Sequence, residues 1–571
     1  MSLTVIFIIL SFLWFLRTIR AALFNVWIWQ IKEYRLDRMW AHLSILSGKR
    51  LFLNWLNIIK LGLLVLFPLF LLLRPFLFLG LVIILFSLES FLGFKEFLDK
   101  RFYRPKFTPK ATIILAGTVG IEIIIVFFLT YILFEGAFFG LRFTLLSIGN
   151  LNEVIQYTSI SCFSFLFLIL SVVLPLIVFL LVLVLNPITK LFKARTIKKA
   201  KKKIKKFSNL IVIGITGSYG KTSTKEFLAT ILAERFNVLK TIKANTDIGV
   251  AKTILEKLKP EHQIFVVEMG AYKRGEIKAI CDIVKPKIGV LTGINEQHLA
   301  LFGGLENTIR AKFELIEALP EDGLGVINKK LKVSAFVPAG TTTDKQNSKF
   351  KVAVKSLKFF SGSEKSDIYA SDIIIEKDKI KFKVINGEES EDFEVSLIGK
   401  QNVSNILACV AVAEYLGMTL KEISKAAKKI KPIEKTMKAY QGINGITLID
   451  DTYNANPAGV LAALDYLKIW KGRKAIVMPC LIELGSTSKD VHQRIGAKIG
   501  ENCDLAIITK KECYEDIKKA ACENGMDKQN ILLSQDPREI FEKLKNFNKP
   551  EDVILLESRV PQQLIDMLEF E

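Results

Sequence analysis

Acidic residues are scarce in the first 207 positions, which hold 8 Asp+Glu against 26 Lys+Arg, a balance of +18. The remaining 364 residues hold 49 acidic and 53 basic groups, so they carry only +4 of the chain's +22. This asymmetry excludes a single soluble globule. It also argues against a nucleic-acid binder, because the excess charge lies in the most apolar third of the chain. Cysteine is sparse and unpatterned: seven residues (162, 281, 409, 480, 503, 513, 522), no C-x-x-C pair and an odd total. That spacing argues against a disulfide framework and a zinc knuckle, and leaves small buried or surface thiols in a reducing compartment. Tandem repeats are absent. The first apolar stretch has no basic region before it and no clear small-residue cleavage site, so it does not read as a signal peptide.

Long apolar runs are what the first third has in excess. A bilayer-spanning helix needs about 20 mostly apolar residues. Five stretches approach this: Leu3 to about Trp29, broken by Arg17 and Arg20; 51–73 and 76–94, separated by Arg74-Pro75; 111–134; and 162–187. Segment 29–50 holds five Lys+Arg, 95–110 holds six and 188–207 holds ten, whereas 135–161 holds only Arg142. The positive-inside rule then gives five spans with an external N-terminus and the rest of the chain in the cytoplasm. The first span is the weakest, with an interfacial helix as its alternative. The run KARTIKKAKKKIKKF (193–206) reads as a contact with anionic lipid, worth roughly 1 kcal/mol per basic residue, and its periodicity suits a helix lying along the membrane. WQIKEYRLDRMWAHL (29–43) reads as an amphipathic interfacial helix, with Arg35, Arg38 and His42 as candidate substrate contacts.

The near-neutral remainder opens with NLIVIGITGSYGKTSTKEFLATILAERF, residues 209–236. An Ile/Val-rich run predicts a buried strand, the glycines at 214, 217 and 220 a loop, and Thr222 onward a helix. Strand, glycine loop, Lys-Thr and helix is an arrangement that cradles phosphate. Backbone N–H groups and the helix N-terminus hold the phosphates, Lys221 reaches the outer ones, and Thr222 ligates Mg²⁺. The spacing is G-x-x-G-K-T, Gly217 to Thr222, with Ile215 where the standard motif has its first glycine. Glu268 ends the strand-like run IFVVE, which places a carboxylate at the sheet edge where parallel α/β folds bind ligands.

TGSYGKTSTK resembles the nucleotide loop of the Mur ligases, ATP-dependent amide-forming enzymes of peptidoglycan synthesis. Further motifs follow in family order: Asn245-Thr246-Asp247-Ile248-Gly249; Glu268-Met269-Gly270-Ala271 with Gly275-Glu276-Ile277; NEQHLALFGG (295–304); Ala311-Lys312; Asn402 and Asn405 in GKQNVSNILA; and DDTYNANP (450–457). The last resembles the branch that adds D-alanyl-D-alanine to a UDP-muramoyl tripeptide. The resemblance covers roughly residues 209–560.

It implies ATP and Mg²⁺ as cofactors and a carboxylate activated as an acyl phosphate before an amine attacks it. By the same resemblance Lys221, Glu268, His298 and Lys312 are catalytic. Thr222, Glu268, His298 and a carbamylated Lys312 would hold Mg²⁺. Gly217, Ser218, Gly220, Lys221, Thr222, Ser223, Asn402, Asn405 and Asp451 would meet ATP, and Asn245, Tyr453, Asn454, Asn456 and Arg559 the muramoyl-peptide and amine substrates. For Asn402 and Asn405 the structural alternative is helix capping. His492 resembles a family histidine, with packing as its alternative, and His262 has no evident role.

The expected fold is therefore an α-helical membrane region of about five spans (1–190) and a polybasic linker (191–207). An α/β phosphate-loop central domain (208–432) and a Rossmann-like α/β lobe (433–571) follow. Alternating residues in 364–398 with Asn386-Gly387 predict a hairpin, and TTTDKQNSK (341–349) a surface loop. Three departures stand out. The family's UDP-gripping N-terminal domain has no counterpart. Thr436 stands where an arginine is expected. Glu557 precedes Ser558-Arg559 where the branch typically shows Lys-Gly. The first departure suits a lipid-linked or membrane-proximal substrate. Other readings are a different amide ligase, such as one making poly-γ-glutamate capsule, and an inactive nucleotide-binding regulator.

Overall fold

The structure is a computed structural model that describes residues 3–44, 48, 54–98, 102–144, 151–295, 302–331, 353–453, 455–547 and 549–569. Two compact units divide it, Met1–Lys193 and Ala194–Glu571. The expected surface loop at 341–349 lies outside the described residues.

Five helices of the first region are long and apolar enough to cross a membrane. They are α1 (Leu3–Ile31), α3 (Trp55–Leu73), α4 (Pro75–Leu98), α5 (Pro109–Thr144) and α6 (Leu151–Ile204). Pro75 opens α4, where its missing N–H is no loss, and the Arg74 N–H closes α3 on Phe70 O at 2.8 Å. The expected interfacial helix over 29–43 is interrupted. α1 runs on to Ile31, a turn follows with Glu33 and Tyr34 at positive φ, and only α2 (Leu36–Ser44) continues. An Arg38–Glu33 ion pair of 2.9 Å closes that turn.

The charges that interrupt these apolar helices find one another. Arg17 on α1 meets Glu89 on α4 at 3.3 Å and donates to Ser171 O on α6 at 2.7 Å. Lys60 on α3 also pairs with Glu89, and Thr18 donates to Glu122 on α5 at 3.0 Å. Each of the five long helices thus contributes to one buried polar cluster. An isolated charge in such surroundings is expensive, so mutual pairing is what makes these residues tolerable.

The second unit is built on two sheets. Nine strands, β1 (Ile211–Thr216), β2 (Val238–Lys240), β3 (Ile264–Glu268), β4 (Ile288–Leu291), β5 (Leu324–Asn328), β6 (Ser356–Ser361), β7 (Ile368–Ile375), β8 (Ile380–Asn386) and β9 (Glu389–Val395), lie in the order β2-β3-β1-β4-β5-β6-β7-β8-β9. β2 to β7 pair in parallel, whereas β7, β8 and β9 pair antiparallel, and β8 and β9 form the hairpin turned at Gly387. The central strands are buried on both faces, as their unbroken Ile/Val runs require. Helices α7 (Lys221–Leu232), α8 (Asp247–Lys257), α9 (Leu305–Glu317) and α10 (Gln401–Tyr415) accompany this sheet. The other sheet has the order β10-β11-β15-β12-β13-β14, from β10 (Lys438–Gln441), β11 (Thr447–Asp451), β12 (Lys474–Met478), β13 (Leu505–Ile508), β14 (Ile531–Leu533) and β15 (Val553–Glu557). All are parallel except β10, and α11 (Pro457–Tyr466) and α12 (Ser488–Asn502) belong to this lobe.

The polybasic run is helical to Ile204, and part of its apolar side belongs to the core of the second unit. Ala200 and Ile204 are buried with Val212, Leu239 and Phe265, and the Lys203 ammonium donates to Leu255 O at 2.9 Å. One expectation needs correction: Cys480 and Cys513 form a disulfide, while the other five cysteines are free. Each lies just past the end of one of two adjacent parallel strands, β12 and β13. Their proximity therefore comes from sheet register, which no local spacing reveals.

Candidate active site

β1 delivers the chain to the phosphate loop, and two glycines let it turn there. Gly220 has φ +76°, and a Cβ on it would sit 2.5 Å from Asn405 Oδ1. At Gly217, φ +154°, a Cβ would strike Thr292 Oγ1 at 2.1 Å. The Thr292 hydroxyl fixes the loop from β4 by donating to Tyr219 O at 2.5 Å. Lys221 opens α7, and its ammonium donates to Gly217 O at 2.7 Å and Ser218 O at 3.2 Å. Burial lowers its pKa, opposed by the nearby Glu268 carboxylate.

Glu268 lies beside this loop because β3 pairs in parallel with β1, Ile215 opposite Glu268. The Thr222 hydroxyl donates to Glu268 Oε2 at 3.1 Å, and Lys225 Nζ lies 3.3 Å from the same oxygen. A threonine hydroxyl and a carboxylate converging at a helix start are hard oxygen donors of the kind Mg²⁺ takes, so the residues present fit that ion. Lys312 on α9 is buried, with its ammonium 3.5 Å from Ala271 O. Burial, reinforced by Lys221, holds its pKa well below that of an ordinary lysine.

A cavity of about 210 Å³ joins these groups to the second lobe. From the phosphate-loop side it is lined by Ser218, Gly220, Lys221, Thr222 and Ser223, and by Asn245, Glu268 and Lys312. Asn402 and Asn405 also line it. They do not cap α10, whose N-cap is Lys400. Their amides instead form a chain, Asn405 Nδ2 to Asn402 Oδ1 at 3.2 Å and Asn402 Nδ2 to Ile398 O at 2.9 Å, and Thr224 Oγ1 meets Asn405 Oδ1 at 3.3 Å.

Asp451, Tyr453 and Asn456 supply the other wall. Asn456 is the N-cap of α11, ahead of Pro457, and its Oδ1 accepts from Gly459 N at 3.1 Å. The same oxygen accepts from Asn295 Nδ2 at 2.7 Å, which ties the chain after β4 to the second lobe. Asp451 Oδ1 accepts from Met437 N at 3.2 Å, and burial pushes its carboxyl up to about 7, with Asp450 adding repulsion.

Three expected residues stand apart. Arg559 is exposed and does not line the cavity, while His298 and Asn454 lie outside the described residues. His492 is a packing residue. Its Nε2 accepts from Leu481 N at 3.0 Å and its Nδ1 faces Ser488 O at 2.7 Å, so both nitrogens are engaged although it stands within 4.8 Å of both disulfide sulfurs. Residues that the sequence did not single out include Asn295, Thr292, Tyr219 and Lys225. Tyr219 and Lys225 lie within the quoted TGSYGKTSTK and Asn295 opens NEQHLALFGG, whereas Thr292 lies in none of the quoted motifs.

Residues 215–413 match the Mur ligase middle domain and residues 437–559 the Mur ligase glutamate ligase domain. A UDP-N-acetylmuramoyl-tripeptide–D-alanyl-D-alanine ligase of Synechocystis is 30% identical over 354 residues, 61% of this chain and 71% of the relative. The enzyme of the same name from Escherichia coli is 31% identical over 287 residues, 50% of this chain and 61% of its own length. Among solved structures, MurF of Thermotoga maritima in complex with ADP has a TM-score of 0.58 at 26% identity, covering 66% of this chain and 83% of that one. MurF of Acinetobacter baumannii gives 0.56 at 28% identity, with 66% and 80% covered. Members of the family are ATP-dependent, ADP-forming peptide ligases that use Mg²⁺. With a phosphate loop, a hard-donor pair beside it and a second lobe closing the cavity, the chain belongs to the Mur ligase family.

Proposed function

We propose that this chain joins a muramoyl-peptide carboxylate to D-alanyl-D-alanine at the cytoplasmic face of a membrane, with ATP as the activating substrate. The observation that carries the reading is the single cavity in which Lys221, Thr222, Glu268 and Lys312 face Asp451, Tyr453 and Asn456. Lys221 and the loop N–H groups bind and orient the γ-phosphate for attack by the substrate carboxylate. The carboxylate oxygen bonds to phosphorus, ADP leaves, and an acyl phosphate remains. The amine nitrogen then bonds to the carbonyl carbon, and phosphate leaves with the C–O electron pair. Thr222 and Glu268 would hold Mg²⁺, which lends positive charge to the transferring phosphoryl group. Asn295 and Asn456 hold the two walls together, and a closed cavity protects the acyl phosphate from water.

Five helices of membrane-spanning length and the charge asymmetry of the first 207 residues support the membrane placement. The same features favour a lipid-linked muramoyl peptide over the soluble UDP form. The test uses the full chain in detergent with ATP, D-alanyl-D-alanine and either form of the peptide, with products identified by mass spectrometry. Amide product and ADP are expected, with the polyprenyl-linked peptide turned over faster. Equal turnover of the two forms removes the lipid preference, and product from neither removes the assigned substrates. Lys221→Ala should abolish ATP turnover and leave insertion in the detergent micelle intact.

A further inference from the structure

Lys225 carries a charge where a charge is expensive. It lies on α7, one helical turn after Lys221, and is 2% exposed. An ammonium buried to that degree is tolerated only when it is paired. Its partners are two carboxylates, Glu268 Oε2 at 3.3 Å and Glu226 Oε1 at 3.1 Å. Glu226 in turn pairs through its other oxygen with Lys240 on β2. The result is a chain of alternating charge, Glu268–Lys225–Glu226–Lys240, running from the phosphate loop to the edge strand of the sheet. Its charges sum to zero.

Holding Glu268 in place does not require that ammonium. The Glu268 N–H donates to Thr241 Oγ1 at 3.0 Å, β3 sets the residue opposite Ile215, and the Thr222 hydroxyl donates to Oε2 at 3.1 Å. What Lys225 adds is charge, and it adds it at the oxygen that Thr222 also meets. That oxygen belongs to the corner assigned above to Mg²⁺. A divalent cation on Glu268 Oε2 has the Lys225 ammonium as its neighbour, and like charges at such range repel strongly even at an effective dielectric constant of ~20. Lys221 compounds the effect, because its ammonium is held by Gly217 O and Ser218 O, two neutral carbonyls. With the four-residue chain neutral and Lys221 beside it, this corner offers a bare dication no net negative charge. Nucleotide phosphates reverse that balance, since they bring several negative charges to the loop N–H groups and to Lys221.

We propose that Lys225 is a built-in counter-ion for the metal site: it neutralises Glu268, so that a divalent cation binds there together with nucleotide phosphates and only weakly without them. Lys225 is thus a positioning residue that acts on the metal through Glu268. The inference rests on the assignment of Thr222 and Glu268 to Mg²⁺ made above. Linkage makes the coupling reciprocal, so the factor by which nucleotide raises metal affinity is the factor by which metal raises nucleotide affinity. A corner that stayed loaded with metal would hold on to its anionic products. One that gives up its metal with them is reset for the next turnover.

The test measures binding of Mn²⁺, which takes the same hard oxygen donors, by electron paramagnetic resonance on the full-length chain in detergent, with and without ADP. K225M keeps the length of the side chain and removes its charge, while Glu268 retains the Thr222 hydroxyl and Glu226 retains Lys240. Without nucleotide, K225M should bind Mn²⁺ at least about tenfold more tightly than the parent chain, and the gain should vanish when E268Q is added. The ratio of Mn²⁺ affinities with and without ADP should shrink by a similar factor. E226Q shifts the balance the other way, because it takes from Lys225 one of its two carboxylates. Its Mn²⁺ affinity without nucleotide should fall about threefold or more. A general loss of stability would move both variants in the same direction. Nucleotide-free Mn²⁺ binding by K225M no tighter than that of the parent chain overturns the proposal, as does a gain that survives E268Q. Should K225M fail to fold, E226Q decides, and unchanged or tighter binding there overturns it. E268Q alone tests the premise: if it leaves binding of Mn²⁺ with ADP intact, the metal-ligand assignment falls, and it falls independently of what the Lys225 and Glu226 variants show.

Discussion

Burial sets the chemistry of Lys312. An ammonium in that position, next to Lys221 and with a carbonyl 3.5 Å away as its hydrogen-bond partner, is poorly solvated, and its pKa falls accordingly. The neutral amine is the form that adds carbon dioxide, so the environment favours the carbamate that the family resemblance suggests. Lys312→Arg retains charge and length but cannot form a carbamate. It should lower product formation by ~100-fold or more with ATP affinity held within a few-fold. Carbon-13 NMR with labelled bicarbonate should show a carbamate resonance in the parent chain and none in the variant. An unchanged rate would mean that the side chain acts as an ammonium. The family resemblance singled out Lys312, but its burial follows only from packing against the chain after β3, which brings Ala271 O to its ammonium.

At the scale of elements, local pattern and sheet register contributed differently. The phosphate loop and α7 were legible because Gly217, Gly220, Lys221 and Thr222 act within one short stretch. Glu268 was legible because a strand must end where its apolar run ends. The Asn295–Asn456 bond and the Cys480–Cys513 bridge were not, since each depends on which strands or lobes become neighbours. The asparagines of α10 show the middle case: the residues were found, but their amide chain replaces the capping role their position suggested. The bridge carries a prediction of its own. It spans a sequence separation of 33 residues, and the chain-entropy account assigns such a cross-link about 4 kcal/mol. Reduction should therefore lower the melting temperature of the second lobe and expose it to limited proteolysis, whereas Cys513→Ser should melt low with or without reductant. A melting curve indifferent to reductant in the parent chain would show that the bridge adds no stability.

For the molecule as a whole, composition pointed to a division near residue 207, and the compact units divide at Lys193 and Ala194. The difference has a physical origin: the last basic turns of α6 look like a juxtamembrane tail in sequence, yet Ala200 and Ile204 belong to the core of the α/β unit. Within the first unit, Glu89 serves two cations, Arg17 and Lys60. Glu89→Gln leaves both without their carboxylate and should destabilise that unit by roughly 3–5 kcal/mol. Thermal aggregation in detergent, followed by size-exclusion chromatography, is the readout. An unchanged transition would show that the cluster adds nothing to the fold.

That pairing also bears on the order in which the chain is made. On the membrane reading, α1 leaves the ribosome carrying Arg17 near its centre, and insertion scales charge an arginine there roughly 2.5–3.5 kcal/mol. The carboxylate that answers it emerges 72 residues later. At synthesis rates of about 5–20 residues per second, the delay is roughly 4–14 s. During that interval the first helix has no partner for its charge, so it is expected to wait at the interface or within the insertion machinery until α4 arrives. The topology of the N-terminal region would then be decided by its fourth helix as much as by its first.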